Sequence, residues 1–345
     1  MFVCNVRNVC EALPATLKLL QDAGQHQGSR AGDVMVLPAP LMTVMSHPCE
    51  RVLRSAIRDA NPFFHMVEAI WMLAGRDDAE PLNLYVKNFG ESFAERKQGE
   101  PFPETDGKIH DAYGRRWRTA FNFDQLNVVV QRLIDDPRDR QCVITMWDPR
   151  RTHTEGENDL RGGWRTRPCN THLYLRIVDH RLDITVCCRS NDMIWGGHGA
   201  NAVHFSILQE YMAARIDTEI GTMYQLSNNA HAYLTELDRL ERRAKMYPWF
   251  DSDYYKYEDV APAPMFTEPT AIDDDVNAAM RWHDHLGERV PDFKNEWFNT
   301  TFASAVIAHR MYRSGDINMA IKIAGTVGAS DWRMAMVEWL QRRVK

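Results

Sequence analysis

The chain has 345 residues, 44% apolar and 26% charged, a balance that excludes collagen-like, disordered and disulfide-scaffold proteins. Its 41 basic and 47 acidic residues leave a net charge of −6, which argues against nucleic acid as a partner. No apolar run approaches the ~20 residues of a membrane span, so no membrane association is expected. The start MFVCNVRNVCEALP lacks the basic and apolar regions of a secretory signal. Seven irregularly spaced cysteines suit a reducing cytoplasm better than a disulfide framework.

In chain order, Val9 to Ala23 has helical spacing, and a polar loop, Gly24 to Gly32, leads into a short strand, Asp33 to Leu37. Pro62 opens an apolar helix on which Phe63, Met66, Val67, Ile70, Trp71 and Leu73 recur, ending near Gly75. Gln125 to Ile134 predicts a helix, Gln141 to Trp147 a buried strand and Arg151 to Arg167 a loop. His172 to Val178 and Leu182 to Cys188 predict a hairpin. Asn201 to Ala214 predicts a helix, Tyr224 to Leu226 a strand, and Ser227 to Tyr233 a turn.

Prolines 262, 264 and 269 then punctuate a loop, and Phe302 to Arg313, Ile317 to Ala324 and Trp332 to Val344 look like amphipathic helices. The alternation of strands and helices predicts an α/β (α+β) catalytic domain over residues 1–260. Residues 261–345 are expected as a helical extension packed on that same domain.

Among the cysteines, six read as small buried hydrophobes. Cys169 stands out because it joins an arginine-rich loop to a strand, where positive charge favours the reactive thiolate. His283 and His285 diverge on a helix and read as surface histidines, and no metal motif accompanies them. Gly196, Gly197 and Gly199 lack the context of a phosphate loop and instead mark close backbone approach before a helix. Glu68, in an apolar stripe, is either a solvated edge carboxylate or a buried functional one.

The ordered strings Glu68-Ala-Ile-Trp-Met-Leu-Ala-Gly75, Tyr113-Gly-Arg-Arg-Trp-Arg118, Asp136-Pro-Arg-Asp-Arg140, Pro168-Cys169, Arg189-Ser-Asn-Asp192, Asn201 and His231-Ala-Tyr233 carry more than their parts. In order and spacing they resemble the thymidylate synthase family, including its pyrimidine nucleotide hydroxymethylases. The resemblance implies the family's mixed sheet with surrounding helices. It also implies C5 alkylation of a pyrimidine deoxynucleoside monophosphate, with 5,10-methylenetetrahydrofolate as co-substrate and no metal.

Residue by residue, it makes Cys169 the nucleophile that adds at C6, Tyr113 the tyrosine of C5 proton transfer, and Glu68 the organiser of water and protons. It gives the substrate phosphate to Arg189, Ser190, Arg30 and Arg140, the last reaching across a homodimer interface. Gln141 replaces the second arginine usual at that place. His231 and Tyr233 match the pair that holds the sugar 3′-hydroxyl. Asp192 and Gly197 match folate contacts.

Asn201 matches the asparagine that reads uracil, where deoxycytidylate enzymes carry aspartate, although a one-residue insertion within Trp195–Ala200 precedes it. Hydride transfer to the exocyclic methylene needs a dry site. Phe89 and Phe93 stand where synthases place tryptophans beside that methylene, Asn170 replaces the usual histidine, and the end Leu340-Gln-Arg-Arg-Val-Lys345 is not the usual apolar tail. These departures favour hydroxymethylation of dUMP, of the kind phages use to modify DNA bases. Thymidylate synthesis, dCMP hydroxymethylation and a non-catalytic nucleotide- or RNA-binding relative are the alternatives.

Overall fold

The computed structural model describes residues 1–87, 89, 107–109, 111–149, 158–160, 167–247, 253–285 and 287–344. Among these, ten strands form two sheets. They are β1 (Phe2–Val6), β2 (Gln25–Gln27), β3 (Val34–Val36), β4 (Leu41–Met45), β5 (Val143–Thr145), β6 (Asn170–Val178), β7 (Arg181–Cys188), β8 (Asn191–Asp192), β9 (Glu219–Ser227) and β10 (Ala230–Tyr233). The larger sheet has the order β1-β4-β9-β7-β6-β5 and the smaller β2-β3-β10-β8. Both are mixed. β1 runs parallel to β4 and β7 to β9, whereas β4 with β9 and β6 with β7 are antiparallel. An α/β (α+β) architecture, mixed sheets with surrounding helices, is thus what the chain adopts.

Helix starts follow local chemistry. Asn8 accepts from the backbone N–H groups of Cys10 and Glu11 to open the Val9–Ala23 helix. Asn61 does the same for Phe63 and Phe64, with Pro62 at the first helical position, where its missing N–H costs nothing. Every residue of this second helix, Pro62–Leu73, is buried. It lies between the Asn201–Ile216 helix and the C-terminal helices Ile272–Asp284 and Ser330–Gln341. One continuous apolar core contains Phe63, Ile70 and Trp71 together with Phe205, Tyr211, Trp282, Trp332 and Trp339. Each such large side chain contributes roughly 1.5–3 kcal/mol by leaving water.

Several expectations need correcting. The polar loop over Gly24–Gly32 contains β2, held by antiparallel pairing to β3. The strand expected at Tyr224–Leu226 extends over Glu219–Ser227, and the following turn includes β10. Gln141–Trp147 narrows to Val143–Thr145. His283 is not on the surface: it is 1% exposed, with Nε2 3.0 Å from the Tyr85 hydroxyl. Most of the loop expected at 151–167, and Phe93, lie outside the described residues. Among the described residues no helix is long and apolar enough to cross a membrane.

Candidate active site

Cys169 immediately precedes β6, and Arg189 immediately follows β7; pairing of those strands brings the two together. The Arg189 backbone N–H donates to the Cys169 carbonyl at 2.9 Å. Its guanidinium donates to the carbonyls of Pro168 at 2.9 Å and Arg167 at 3.0 Å, and Nη2 lies 4.0 Å from the Cys169 sulfur. Burial nevertheless pushes the thiol up; Arg189 opposes the shift, while Asp111 and Asp192 add to it. Arg189 does favour the thiolate, as expected from sequence, but desolvation outweighs that one cation.

Tyr113 opens the short helix Tyr113–Arg118. Gly114 lets that helix press against the 62–73 helix, since a Cβ there would meet the Met72 carbonyl oxygen at 2.1 Å. Burial raises the Tyr113 phenol well above its ordinary value, and Cys169, Asp111 and Cys188 add to this, with the Asn170 side chain pulling the other way. A chain of side chains then crosses the floor of the site. Cys188 Sγ donates to Asn170 Oδ1 at 2.7 Å. Asn191 Nδ2 donates to Ser227 Oγ at 3.0 Å and lies 3.7 Å from Cys188 Sγ. Asn201 Nδ2 donates to Asn191 Oδ1 at 3.2 Å.

The smaller sheet supplies a second wall. β8 pairs with β10 so that Asp192 faces His231 in register. The His231 and Tyr233 rings are 5.5 Å apart and edge-on. Arg30, exposed in its loop, acts electrostatically on the Tyr233 phenol. Ser190 sits half-buried between Arg189 and Asn191. Asp192 accepts from the Ile194 N–H at 3.0 Å and caps a π-helical segment, Met193–Ala200. Burial raises the Asp192 carboxyl, partly countered by that N–H, His231 and Arg58.

Glu68 is the buried alternative of the two readings, at 7% exposure. Its Oε2 lies 3.0 Å from His204 Nε2. Nearby, Arg58 Nε donates to the Ile194 carbonyl at 2.8 Å, and its guanidinium stacks 4.4 Å from the Trp195 ring centre. Arg239 lies 5.4 Å from the same ring. Burial and the Arg239 charge lower Arg58 to about 10, so it stays cationic at neutral pH. Phe89 is half-buried, 5.4 Å from the Phe64 ring. A Cβ on Gly197 would meet the end of the Met193 side chain, Cε, at 2.7 Å and displace it.

The structure thus gathers Cys169, Arg189, Tyr113 and Asp192 by mutual electrostatic contact, and links Asn201 to them through Asn191. Arg140 stands elsewhere. It is exposed, beside a cavity of about 400 Å³ lined also by Arg138, Tyr174 and Arg176. Asn191, His65, His204 and Arg58 escaped the sequence reading. A signal existed for two of them: His65 is three residues before Glu68, and His204 three after Asn201, a spacing that shares a helix face.

The family model for thymidylate synthase matches residues 57–251. A deoxyuridylate hydroxymethyltransferase of Pseudomonas phage M6 is 36% identical, with 99% of this chain and 95% of that protein covered. One from Bacillus phage SP01 is 34% identical over 57% of this chain and 50% of that protein. A thymidylate synthase of Francisella philomiragia is 24% identical over 52% of this chain and 65% of that protein. The match to the first extends across the C-terminal helices as well as the sheets. The chain belongs to the thymidylate synthase family and is a one-carbon transferase.

Proposed function

We propose that the protein is a homodimeric, cytoplasmic deoxyuridylate hydroxymethylase that converts dUMP, a one-carbon folate and water into 5-hydroxymethyl-dUMP and tetrahydrofolate. The observation that carries this reading is the cluster of Cys169, Arg189, Tyr113 and the Asn191–Asn201 amide pair at the junction of the two sheets. The phage relatives named above support the base and the product.

In this reading the Cys169 thiolate adds to C6, and the displaced electron pair makes C5 nucleophilic. Arg189, 4.0 Å from the sulfur, favours the ionised thiol. Asn201 gives one amide hydrogen to Asn191. Its second N–H and its carbonyl oxygen suit O4 and N3–H of uracil. Tyr113 carries the C5 proton away, and Glu68 handles protons at the carbonyl and the methylene. Arg30, Arg189 and Ser190 take the phosphate, with Arg140 supplied by the second protomer. His231 and Tyr233 take the sugar hydroxyl.

5,10-Methylenetetrahydrofolate, when bound, supplies the one-carbon unit. The Asp192 carboxylate, the backbone at Gly197, the aromatic face of Phe89 and the Trp195 ring between two arginines suit a planar heteroaromatic group with an acidic tail, and Phe93, outside the described residues, is assigned to the same group by the family resemblance alone.

Purified protein incubated with dUMP or dCMP and methylenetetrahydrofolate tests the reading by mass spectrometry. The expected product is 5-hydroxymethyl-dUMP with tetrahydrofolate conserved. A methyl product with dihydrofolate makes the protein a thymidylate synthase, and a modified cytosine overturns the base assignment. Cys169→Ala should lower turnover by at least about 10³-fold; a rate near wild type removes the covalent mechanism.

A further inference from the structure

His204 lies one turn beyond Asn201 on the 201–216 helix, 3% exposed, and His65 lies one turn before Glu68 on the 62–73 helix, 5% exposed. Two helices that pack together therefore present His65, Glu68 and His204 to one another. The ring of His65 also reaches the site's rim, since a Cβ on Gly199 would sit 3.9 Å from its Cε1 and 3.2 Å from Arg58 Nη2. Burial, reinforced by the nearby Arg58 and His204, drives the His65 pKa well below its ordinary value, so this ring is neutral.

Three polar atoms of this cluster, on Glu68 and His204, are involved. His204 Nε2 and Glu68 Oε2 are 3.0 Å apart. Yet neither of them, nor His204 Nδ1, makes a directed hydrogen bond among the described residues. Two other buried histidines have at least one ring nitrogen paired with a hydroxyl, although His198 Nδ1 is also open. His198 has Nε2 2.8 Å from the Thr16 hydroxyl, and His283 has Nε2 3.0 Å from the Tyr85 hydroxyl. Unpaired buried nitrogens and carboxylate oxygens are exceptional, because each carries its full desolvation cost. A buried carboxylate oxygen beside a buried imidazole, held by two packed helices, offers partners of the kind an ordered water requires. No group of His, Cys, Asp and Glu among the described residues is arranged to hold a metal.

We propose that His204 is the positioning residue for the water consumed in the reaction: acting with Glu68, it holds that water against the exocyclic methylene carbon and thereby sets the water-derived product over the hydride-derived one. This rests on the hydroxymethylase reading above. The water oxygen bonds to the methylene carbon while the C=C electron pair moves into the C5–C4–O4 enolate. The water's proton passes to the Glu68 carboxylate. Collapse of the enolate restores the C5=C6 double bond and expels the Cys169 thiolate from C6. One water is consumed and nothing is oxidised or reduced. A hydride route would instead oxidise the folate and has no use for a held water.

The test is a single-turnover reaction with dUMP tritiated at C5 and methylenetetrahydrofolate. Tritium release reports loss of the C5 proton, before water enters; mass spectrometry reports the hydroxymethyl product, after it. In wild type the two should proceed in step. His204→Phe, which fills the ring's space without its nitrogens, and His204→Ala should each lower the ratio of product formed to tritium released by about tenfold or more. His204→Gln, which retains a donor and an acceptor, should recover most of the ratio.

A fall in both quantities together, leaving the ratio at its wild-type value in the Phe variant, means that the residue only supports the fold and overturns the proposal. The Phe variant carries the test if the Ala variant does not fold. Absence of any hydroxymethyl product from wild type sinks the functional reading itself. An unmoved ratio in an enzyme that does make that product sinks only the role of His204.

Discussion

The Asn201–Ile216 helix has two ends built on opposite terms. Toward its C-terminus the charged groups are closed into partnerships. Arg51 donates to Glu210 at 2.6 Å, and the Met265 N–H donates to the same carboxylate at 2.7 Å. Asp273 accepts from the Tyr211 hydroxyl at 2.9 Å, from Arg118 at 2.7 Å and from Arg215 at 2.7 Å. Toward its N-terminus Asn201 has one amide contact with Asn191, and His204, with Nε2 3.0 Å from Glu68 Oε2, makes no directed hydrogen bond at either ring nitrogen among the described residues. One helix thus fastens the C-terminal helices at one end and presents unsatisfied groups at the other. Polar groups that only hold a fold tend to be paired, whereas those kept for a reaction stay open at a cost in stability.

Breaking the closed end should have the largest effect. Glu210→Gln leaves the Arg51 cation buried without its counter-charge, 3% exposed at the side chain. The expected loss is about 3–5 kcal/mol in chemical denaturation, with the split between hydroxymethyl and methyl product unchanged in whatever remains folded. Undiminished stability would mean that this pair does not anchor the helix. Altering the open end should change chemistry and leave the fold nearly intact. Asn201→Asp should move relative kcat/KM toward dCMP by about tenfold, and an unchanged preference removes the base-reading role.

The smallest effect is expected at the corner beside Arg58. Burial pushes the Asp59 carboxyl up, but Arg343, Arg243 and Arg342 outweigh it and hold the carboxyl below its ordinary range. A depressed folded pKa contributes stability that is present above the unfolded pKa and lost as pH falls through the folded value. The melting temperature should therefore drop as pH is lowered from about 5 to about 3, and Asp59→Asn should show a shallower drop. Equal slopes for the two proteins would show that the arginines do not stabilise the charged form.

What sequence alone conveyed follows the same division between local and distant causes. The 9–23 and 62–73 helices were legible because their caps, Asn8 and Asn61, and their periodicity lie within the segments themselves. The 170–188 hairpin was legible because its partners adjoin in the chain. β1 and β4 were not, because Phe2–Val6 and Leu41–Met45 are short and gain their order by pairing across some forty residues. His283 read as a surface residue because its partner, Tyr85, is 198 positions away. Within the site, Cys169, Asn201 and Arg189 were visible through family strings. His204 was not, because a histidine in an apolar helix looks like any other until Glu68 of another helix is set beside it.

The π-helical turn at Met193–Ala200 has one more consequence. In an ordinary helix, one added residue rotates everything downstream by about 100°, which would swing Asn201 away from Asn191 and His204 away from Glu68. A wider turn absorbs that residue within itself, and the glycines at 196, 197 and 199 give the backbone room to do so. The segment works as an expansion joint: a residue gained within it leaves the contacts of Asn201 with Asn191 and of His204 with Glu68 in place.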